Sequence, residues 1–414
     1  MSGKLVRDAV HGDIELEPIE VELMDTPEFQ RLRRIRQLGT AYLVYPSATH
    51  TRFEHSLGTS WIACRMVEVL RRTWSISADE AVSIRIAALL HDITHIPFGH
   101  TLEDERRVLP RHDKDESRFQ YFLRDSSLAQ VLRKSGHKQQ VMRILKGSGG
   151  FASEIVMGAI TADLLDYLRR DTYFTGFHQY YDPRVFQSFI VDDGRFVINL
   201  EKHGMLRRDT LSELINLLRI RYTLSERVYF HHTKIASGAM ISKAVELAIR
   251  SGLNTEELRR HRDETLIWHI RTSYGHDPAI AHILDCLDSR QLYRACFVLD
   301  ADVGGARREE IVERFHNDAD RREVLEAAIA RAAHVHAYQV IVYCPSMGMS
   351  LPEAEVLVRM EDGRILPLSG SNNDEIRTLK EKHKSLWKFF VFLDRAAWPR
   401  RKLAHAAAAE FLGS

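Results

Sequence analysis

The chain has 414 residues, 44% hydrophobic and 28% charged, with a formal net charge of +1. That length holds one large domain or two to three ordinary ones, and the composition excludes intrinsic disorder and a generic nucleic-acid binder. Cys64, Cys286, Cys296 and Cys344 are scattered without a Cys-x-x-Cys pair. This excludes a zinc ribbon or dithiol motif and fits reduced thiols in a cytoplasmic protein. The first residues lack an apolar signal core, and no uncharged apolar run reaches the roughly 18 residues of a membrane helix. No membrane partner is expected.

Residues 1–20 read as an extended arm broken by Gly12 and Pro18. Asp25-Thr26-Pro27-Glu28 starts a helix, with Phe29, Leu32 and Ile35 as its apolar stripe. Pro46 to Arg52 is a loop. The periodicity predicts helices over about 55–74, 79–92, 115–134 and 151–173. Two β-prone runs around Asp193-Gly194, within Phe186–Leu200, predict a hairpin. Helical patterns return at about 209–251, 255–270 and 308–333. Strands are expected at Tyr338–Tyr343, Glu355–Met360 and Trp387–Leu393. The chain is therefore expected to be mostly α, with a small α+β C-terminal part and a boundary near 335.

The chemistry concentrates in the first half. His50, His55, His91, His95, His100 and His112 fall within one stretch. His55, His91, Asp92 and Asp163 would make a mixed nitrogen and oxygen donor set, suited to a divalent Mn, Fe, Co, Ni or Zn ion that activates water. Asp166 competes with Asp163, and spacing alone leaves the two open. Asp163, Tyr167, Arg170 and Asp171 recur at helical offsets and read as one polar stripe. His100 and Glu103 are three apart, a spacing at which a carboxylate orients an imidazole for proton donation.

Four stretches carry a family resemblance: Asp25–Gly58, His91–His100, Asp163–Gly176 and, more weakly, Arg221–Lys234. The sequence resembles the HD-domain phosphohydrolase superfamily, whose name describes the His91–Asp92 doublet. The likeness is closest to its deoxynucleoside triphosphate triphosphohydrolases, bacterial and mammalian, the latter of sterile-alpha-motif/HD type. It implies an HD-domain helical catalytic core with an N-terminal arm over 1–240 and a β-hairpin insertion within it; beyond the resemblance, the chain pattern gives a helical extension over 241–334 and a small α+β region over 335–414. The resemblance also implies metal ligation by His55, His91, Asp92 and Asp163, with Mg added to the ions that the donor set suits.

In such enzymes water attacks the α-phosphorus and the whole triphosphate leaves. The resemblance assigns phosphate contacts to Arg52, His95 and His112, proton donation to His100 with Glu103, and the phosphate tail to Arg221. Gln37 and Asp171 would bind the 3′-hydroxyl, Tyr167 would exclude a ribose, and Leu38 and Tyr229 would flank the base. An activating nucleotide would bind between subunits of a homo-oligomer, at Lys4, Asp25, Gln30, Arg33, Val44, Tyr45, His231 and His232. The activity would lower dNTP pools, in nucleotide homeostasis or in restriction of phage replication. Three positions depart from the mammalian pattern: Leu164 stands for a phosphate-binding Lys, Ser225 for a His and His232 for a Lys. Leu164 slightly favours a second reading, a nucleoside monophosphate phosphatase or another HD phosphohydrolase on the same metal site; a third is a nucleotide-responsive regulatory subunit with the part after 240 as its partner surface.

Overall fold

A computed structural model describes residues 3–413. Helices dominate, and four small sheets accompany them among the described residues. The expected arm is a hairpin, Lys4–Asp8 against Gly12–Leu16. Pro18 opens a helix, Pro18–Met24, instead of breaking the arm, because proline is tolerated at a helix's first position.

Two long helices form the centre of the first lobe. Arg52–Leu70 starts from a Thr51/Glu54 capping box, and Ala78–Leu90 from the Ser77 side chain. Against Arg52–Leu70 lies Ala162–Thr175, capped by Thr161. The sequence predicts one helix over 151–173, but the structure has two, with Phe151–Met157 ending at Gly158. The apolar stripe continues through both pieces, so periodicity does not reveal the break. Its consequence is functional: Asp163 sits in the first turn of a new helix. Breaks also divide the expected 115–134, 209–251 and 308–333 helices.

Arg52–Leu70 approaches Ala162–Thr175 closely enough that only glycine fits at 58. A Cβ there would lie 2.6 Å from the carboxyl carbon of Asp166.

The hairpin at Asp193-Gly194 forms, with Phe189–Asp192 antiparallel to Arg195–Asn199. Leu357–Arg359 then adds in parallel beside Arg195–Asn199, and Ile365–Pro367 closes that sheet. A separate sheet sets Lys388–Leu393 between Arg294–Asp300 and Val340–Tyr343. Packing crosses the expected boundaries at 240 and 334. Leu351, Ala354, Val356, Val358, Leu368 and Ile376 bury in the core of the first lobe. Phe297 to Ala333 share a core with strands and a helix from the last 75 residues.

A buried ionic network joins the lobes. Arg106 reaches Glu326 and Glu246, each at 2.6 Å, and Arg322 and Lys243 complete the set at 2.7 Å to Glu246 and Glu326 respectively. Burial opposes ionisation of Glu326, yet Arg106 and Lys243 outweigh it and hold the carboxyl down at about 2. A carboxyl lowered on folding stabilises the protein above its ordinary pKa and loses that contribution as pH falls toward the folded value.

We therefore expect stability to drop as pH falls from about 4.5 toward 2. Glu326→Gln should cost about 3–5 kcal/mol near neutrality and flatten that acid limb, as read by denaturant melts across pH. Gly58→Ala should cost about 1–3 kcal/mol in the same melts.

Candidate functional site

A cleft of about 580 Å³ opens between the ends of Arg52–Leu70, Ala78–Leu90 and Ala162–Thr175. His91 caps the C-terminus of Ala78–Leu90. The helix does not continue to His95; the chain turns instead through Phe98 and Gly99, both at positive φ (60° and 46°). A Cβ at residue 99 would also fall 2.6 Å from Arg52 Nη2. This turn folds His95 and His100 back over the cleft, and a π-turn, Thr101–Glu105, follows. Asp263 pins the loop from a distant helix by accepting the Phe98 N–H at 2.8 Å.

His55, His91, Asp92 and Asp163 converge. His55 Nε2 lies 2.9 Å from Asp163 Oδ1 and 3.2 Å from His91 Nε2. His91 Nε2 is 3.6 Å from Asp163 Oδ1 and 3.5 Å from Asp92 Oδ1. Each imidazole is fixed from behind. His55 Nδ1 lies 2.7 Å from Asp166 Oδ2, and His91 Nδ1 lies 2.8 Å from the Ala88 carbonyl. Both rings thus turn Nε2 toward the carboxylates.

The competing Asp166 lies on the far side of His55 from Asp163. It is fully buried and also takes His11 at 2.6 Å and Arg170 at 2.8 Å. Arg170 in turn bonds Asp8 at 2.9 Å. The expected single polar stripe therefore splits: Asp163, Tyr167 and Asp171 face the cleft, while Arg170 turns inward and joins Asp166.

His55, His91 and Asp163 bring their donor atoms within 4.8 Å of one another, a mixed set that could hold a first-row divalent ion, while Asp92 stands beside them with one oxygen on Arg52. Electrostatics agrees. Burial disfavours a charged His55, but hydrogen bonds to Asp163 and Asp166 push it up to about 10. Asp163 stays below the usual carboxylate range because the two imidazoles outweigh its burial. Arg52, 2.6 Å from Asp92 Oδ2, does the same for Asp92. Ion binding at His55 requires its Nε2 proton to leave, so affinity rises with pH.

His95, His100 and His112 form a second imidazole cluster on the cleft wall. The His95 and His112 ring centroids are 3.6 Å apart. Burial and neighbouring Arg52 lower His95 well below its usual range and keep it neutral. The expected His100–Glu103 pair is only partly formed. Glu103 bonds His112 at 3.0 Å and Arg118 at 2.7 Å, whereas His100 Nδ1 sits 3.1 Å from Asp104 and 3.5 Å from Glu103.

On the opposite wall Asp171 accepts from Tyr229 at 2.7 Å and from His50 at 2.8 Å. Arg221 lies between the rings of Tyr167 and Tyr229, 5.3 and 5.0 Å from their centroids. Gln37 and Leu38 also line the cleft, as does Leu164.

Sequence reasoning missed Glu353, Glu105, Asp104 and Arg111 here. Glu353, from the C-terminal part, faces Arg221 at 3.2 Å and Tyr167 at 3.5 Å. Glu105 pairs with Lys234 at 2.8 Å, and Arg111 pairs with Asp104. Asp166 was weighed as a ligand and not as a support. No local signal marks Glu353 or Glu105. The residues assigned to a regulatory nucleotide fall into two contact groups. Lys4 lies 4.0 Å from Asp25, and Arg33 bonds Gln30 at 2.9 Å. Separately, Tyr45 abuts His231, which stacks on His232 with centroids 4.4 Å apart. Val44 adjoins Tyr45 and is half-buried.

Asp166→Asn should weaken divalent-ion binding about 10–100-fold, because it unfixes His55 without touching an ion-facing oxygen. Equilibrium dialysis with Mn²⁺ measures this.

Relatives share this architecture. A family model described as HD associated region matches residues 191–413, and one described as HD domain matches 52–171. An uncharacterized protein of Methanocaldococcus jannaschii is 35% identical over 299 residues, 70% of this chain and 59% of that protein. Deoxynucleoside triphosphate triphosphohydrolase SAMHD1 of Homo sapiens is 29% identical over 277 residues, 58% of this chain and 44% of that protein. The chain thus spans about half the length of the curated relatives it matches. A crystal structure of a phosphohydrolase from Bacteroides thetaiotaomicron superposes with a TM-score of 0.72 at 24% identity, over 95% of this chain and all of that one. With the HD associated region covering more than half of its length and the His–Asp doublet lining its cleft, the chain belongs to the HD-domain phosphohydrolase superfamily.

Proposed function

We propose that this protein is a metal-dependent dNTP triphosphohydrolase, releasing deoxynucleoside and triphosphate. The observation that carries the reading is the wall made by Ala162–Thr175. Asp163 stands beside His55 and His91, while Tyr167 and Asp171 follow about 6 and 12 Å further along the helix rise. A sugar joined through its 5′-oxygen to a phosphate near Asp163 would lie against those two side chains. The cleft volume lies within the roughly 300–1,000 Å³ of small-molecule sites.

His55, His91, Asp92 and Asp163 would hold a divalent ion, which would supply Lewis-acid polarisation of a phosphoryl oxygen and a more acidic water. The chain's own groups do the rest. Water oxygen bonds to the α-phosphorus and gives up a proton to solvent, the bond from phosphorus to the 5′-oxygen breaks, and that oxygen takes a proton from His100, braced by Asp104 and Glu103 and reprotonated from solvent. Arg52, neutral His95 and His112 hold phosphate oxygens, and Arg221 takes the tail. Gln37 and Asp171 hold the 3′-hydroxyl, Tyr167 fills the space of a 2′-hydroxyl, and Leu38 and Tyr229 flank the base.

A second nucleotide, bound where copies of the chain meet, would contact Lys4, Asp25, Gln30, Arg33, Val44, Tyr45, His231 and His232. The exposure of Lys4, Asp25, Arg33 and His232 supports this.

A nucleoside monophosphate phosphatase is the second reading, and charge favours it. The cleft is lined by four cationic side chains, Arg52, Arg111, Arg221 and Lys234, each facing a carboxylate, and by seven carboxylates in all. Leu164 supplies no further cation. A triphosphate must therefore enter as a metal chelate or displace those pairs.

Product analysis with all four dNTPs, alone and mixed, separates the readings. Triphosphate with deoxynucleoside supports the first, and orthophosphate released only from monophosphates supports the second. His91→Ala and Asp92→Ala should abolish either activity. Tyr167→Ala should reduce discrimination against ribonucleotides by about 10–200-fold, whereas Tyr167→Phe should keep it.

A further inference from the structure

Outside the cleft, three side chains of different chemistry meet at one point. His282 and Cys286 lie four apart on one face of helix Pro278–Asp288. Asp394 follows strand Lys388–Leu393 directly. His282 Nε2 is 2.8 Å from Asp394 Oδ2 and 3.5 Å from Cys286 Sγ, and all three donor atoms lie within 4.8 Å of one another. None of the three lines the cleft. Asp394 and Cys286 are buried, and His282 is partly open to solvent.

Two simpler roles fit poorly. A nucleophile–histidine–carboxylate relay needs its partners on opposite ring nitrogens, yet both approach Nε2 here. A plain structural hydrogen bond accounts for His282 and Asp394 but gives the thiol no purpose. Asp394 is already held in place by Gln339 Nε2 at 2.7 Å and by the Ala396 N–H at 3.0 Å, so its lone pairs are aimed.

We propose that His282, Cys286 and Asp394 form a second metal site, one that takes Zn²⁺ with water in the fourth position. Sulfur and imidazole nitrogen on one tetrahedral zinc lie about 3.5 Å apart, given bonds of about 2.3 and 2.05 Å. The observed sulfur–nitrogen separation is 3.5 Å. The nitrogen–oxygen gap must open from 2.8 Å to about 3.4 Å, a rotamer adjustment at the partly exposed His282. Burial, with Asp394 and Asp285 adding, pushes the Cys286 thiol up to about 11, so binding releases a proton and strengthens as pH rises. The ion would clip helix Pro278–Asp288 to the end of the three-stranded sheet.

Cobalt titration of the metal-stripped full-length chain tests this, because the cleft donors include no sulfur. We expect a near-ultraviolet thiolate-to-cobalt charge-transfer band that Zn²⁺ bleaches. Cys286→Ser and His282→Ala should lose it, and His91→Ala/Asp92→Ala should keep it. Absence of the band in the unmodified chain, or its survival in Cys286→Ser, overturns the site. If Cys286→Ser does not fold, alkylation mapping of the unmodified chain decides. Zn²⁺ should protect Cys286 and leave the partly exposed Cys64 and Cys296 unchanged. Equal labelling of Cys286 with and without Zn²⁺ overturns the site.

Discussion

The Asp166 carboxylate is the knot on which the rest of the site depends. It is wholly buried and accepts from His55, His11 and Arg170, and Arg170 extends the chain to Asp8. One anion thereby fixes the ring of a histidine that faces Asp163, ties down the N-terminal hairpin and locks helices Arg52–Leu70 and Ala162–Thr175 together. A buried charge left with fewer partners is expensive, so each member of this set enforces the placement of the others. The close helix approach that Gly58 permits is the geometric side of the same constraint.

Around that knot the cleft is an electrostatic compromise. Its carboxylates outnumber its cations, and every cation is already paired. Such a surface repels a bare polyphosphate and favours one that arrives with a divalent ion. The neutral imidazoles of His95 and His112 suit this balance, because they offer hydrogen bonds without adding charge to a site that must also admit an ion.

Much of this was legible in the sequence. The His91–Asp92 doublet, Asp163 with Tyr167 and Asp171 at helical spacing, and the Asp193-Gly194 hairpin are local patterns, and local patterns survive folding. The split at Gly158 was hidden because its two helices bury one continuous apolar stripe. Arg170 was misread because residues 163, 166, 167, 170 and 171 straddle two adjacent faces, and only the position of the neighbouring helix decides which is wet. The His100–Glu103 pairing came out looser because a π-turn rotates Glu103 toward His112. His11, Glu105, Asp263 and Glu353 were beyond reach, since each meets the site through contacts that cross much of the chain.

Glu353 shows what that distance entails. Residues 351–379 leave the C-terminal lobe, insert into the core of the first one and set a carboxylate opposite Arg221. In the order of synthesis, the cleft's last wall emerges long after His55, His91 and Asp163. A nascent chain therefore carries an open, unfinished groove until those late residues return, and the closure entropy of a loop of more than a hundred residues separates a partly built site from a complete one. The wall around Arg221 is thus built from both family segments, and residues 351–379 tie the two halves into one core.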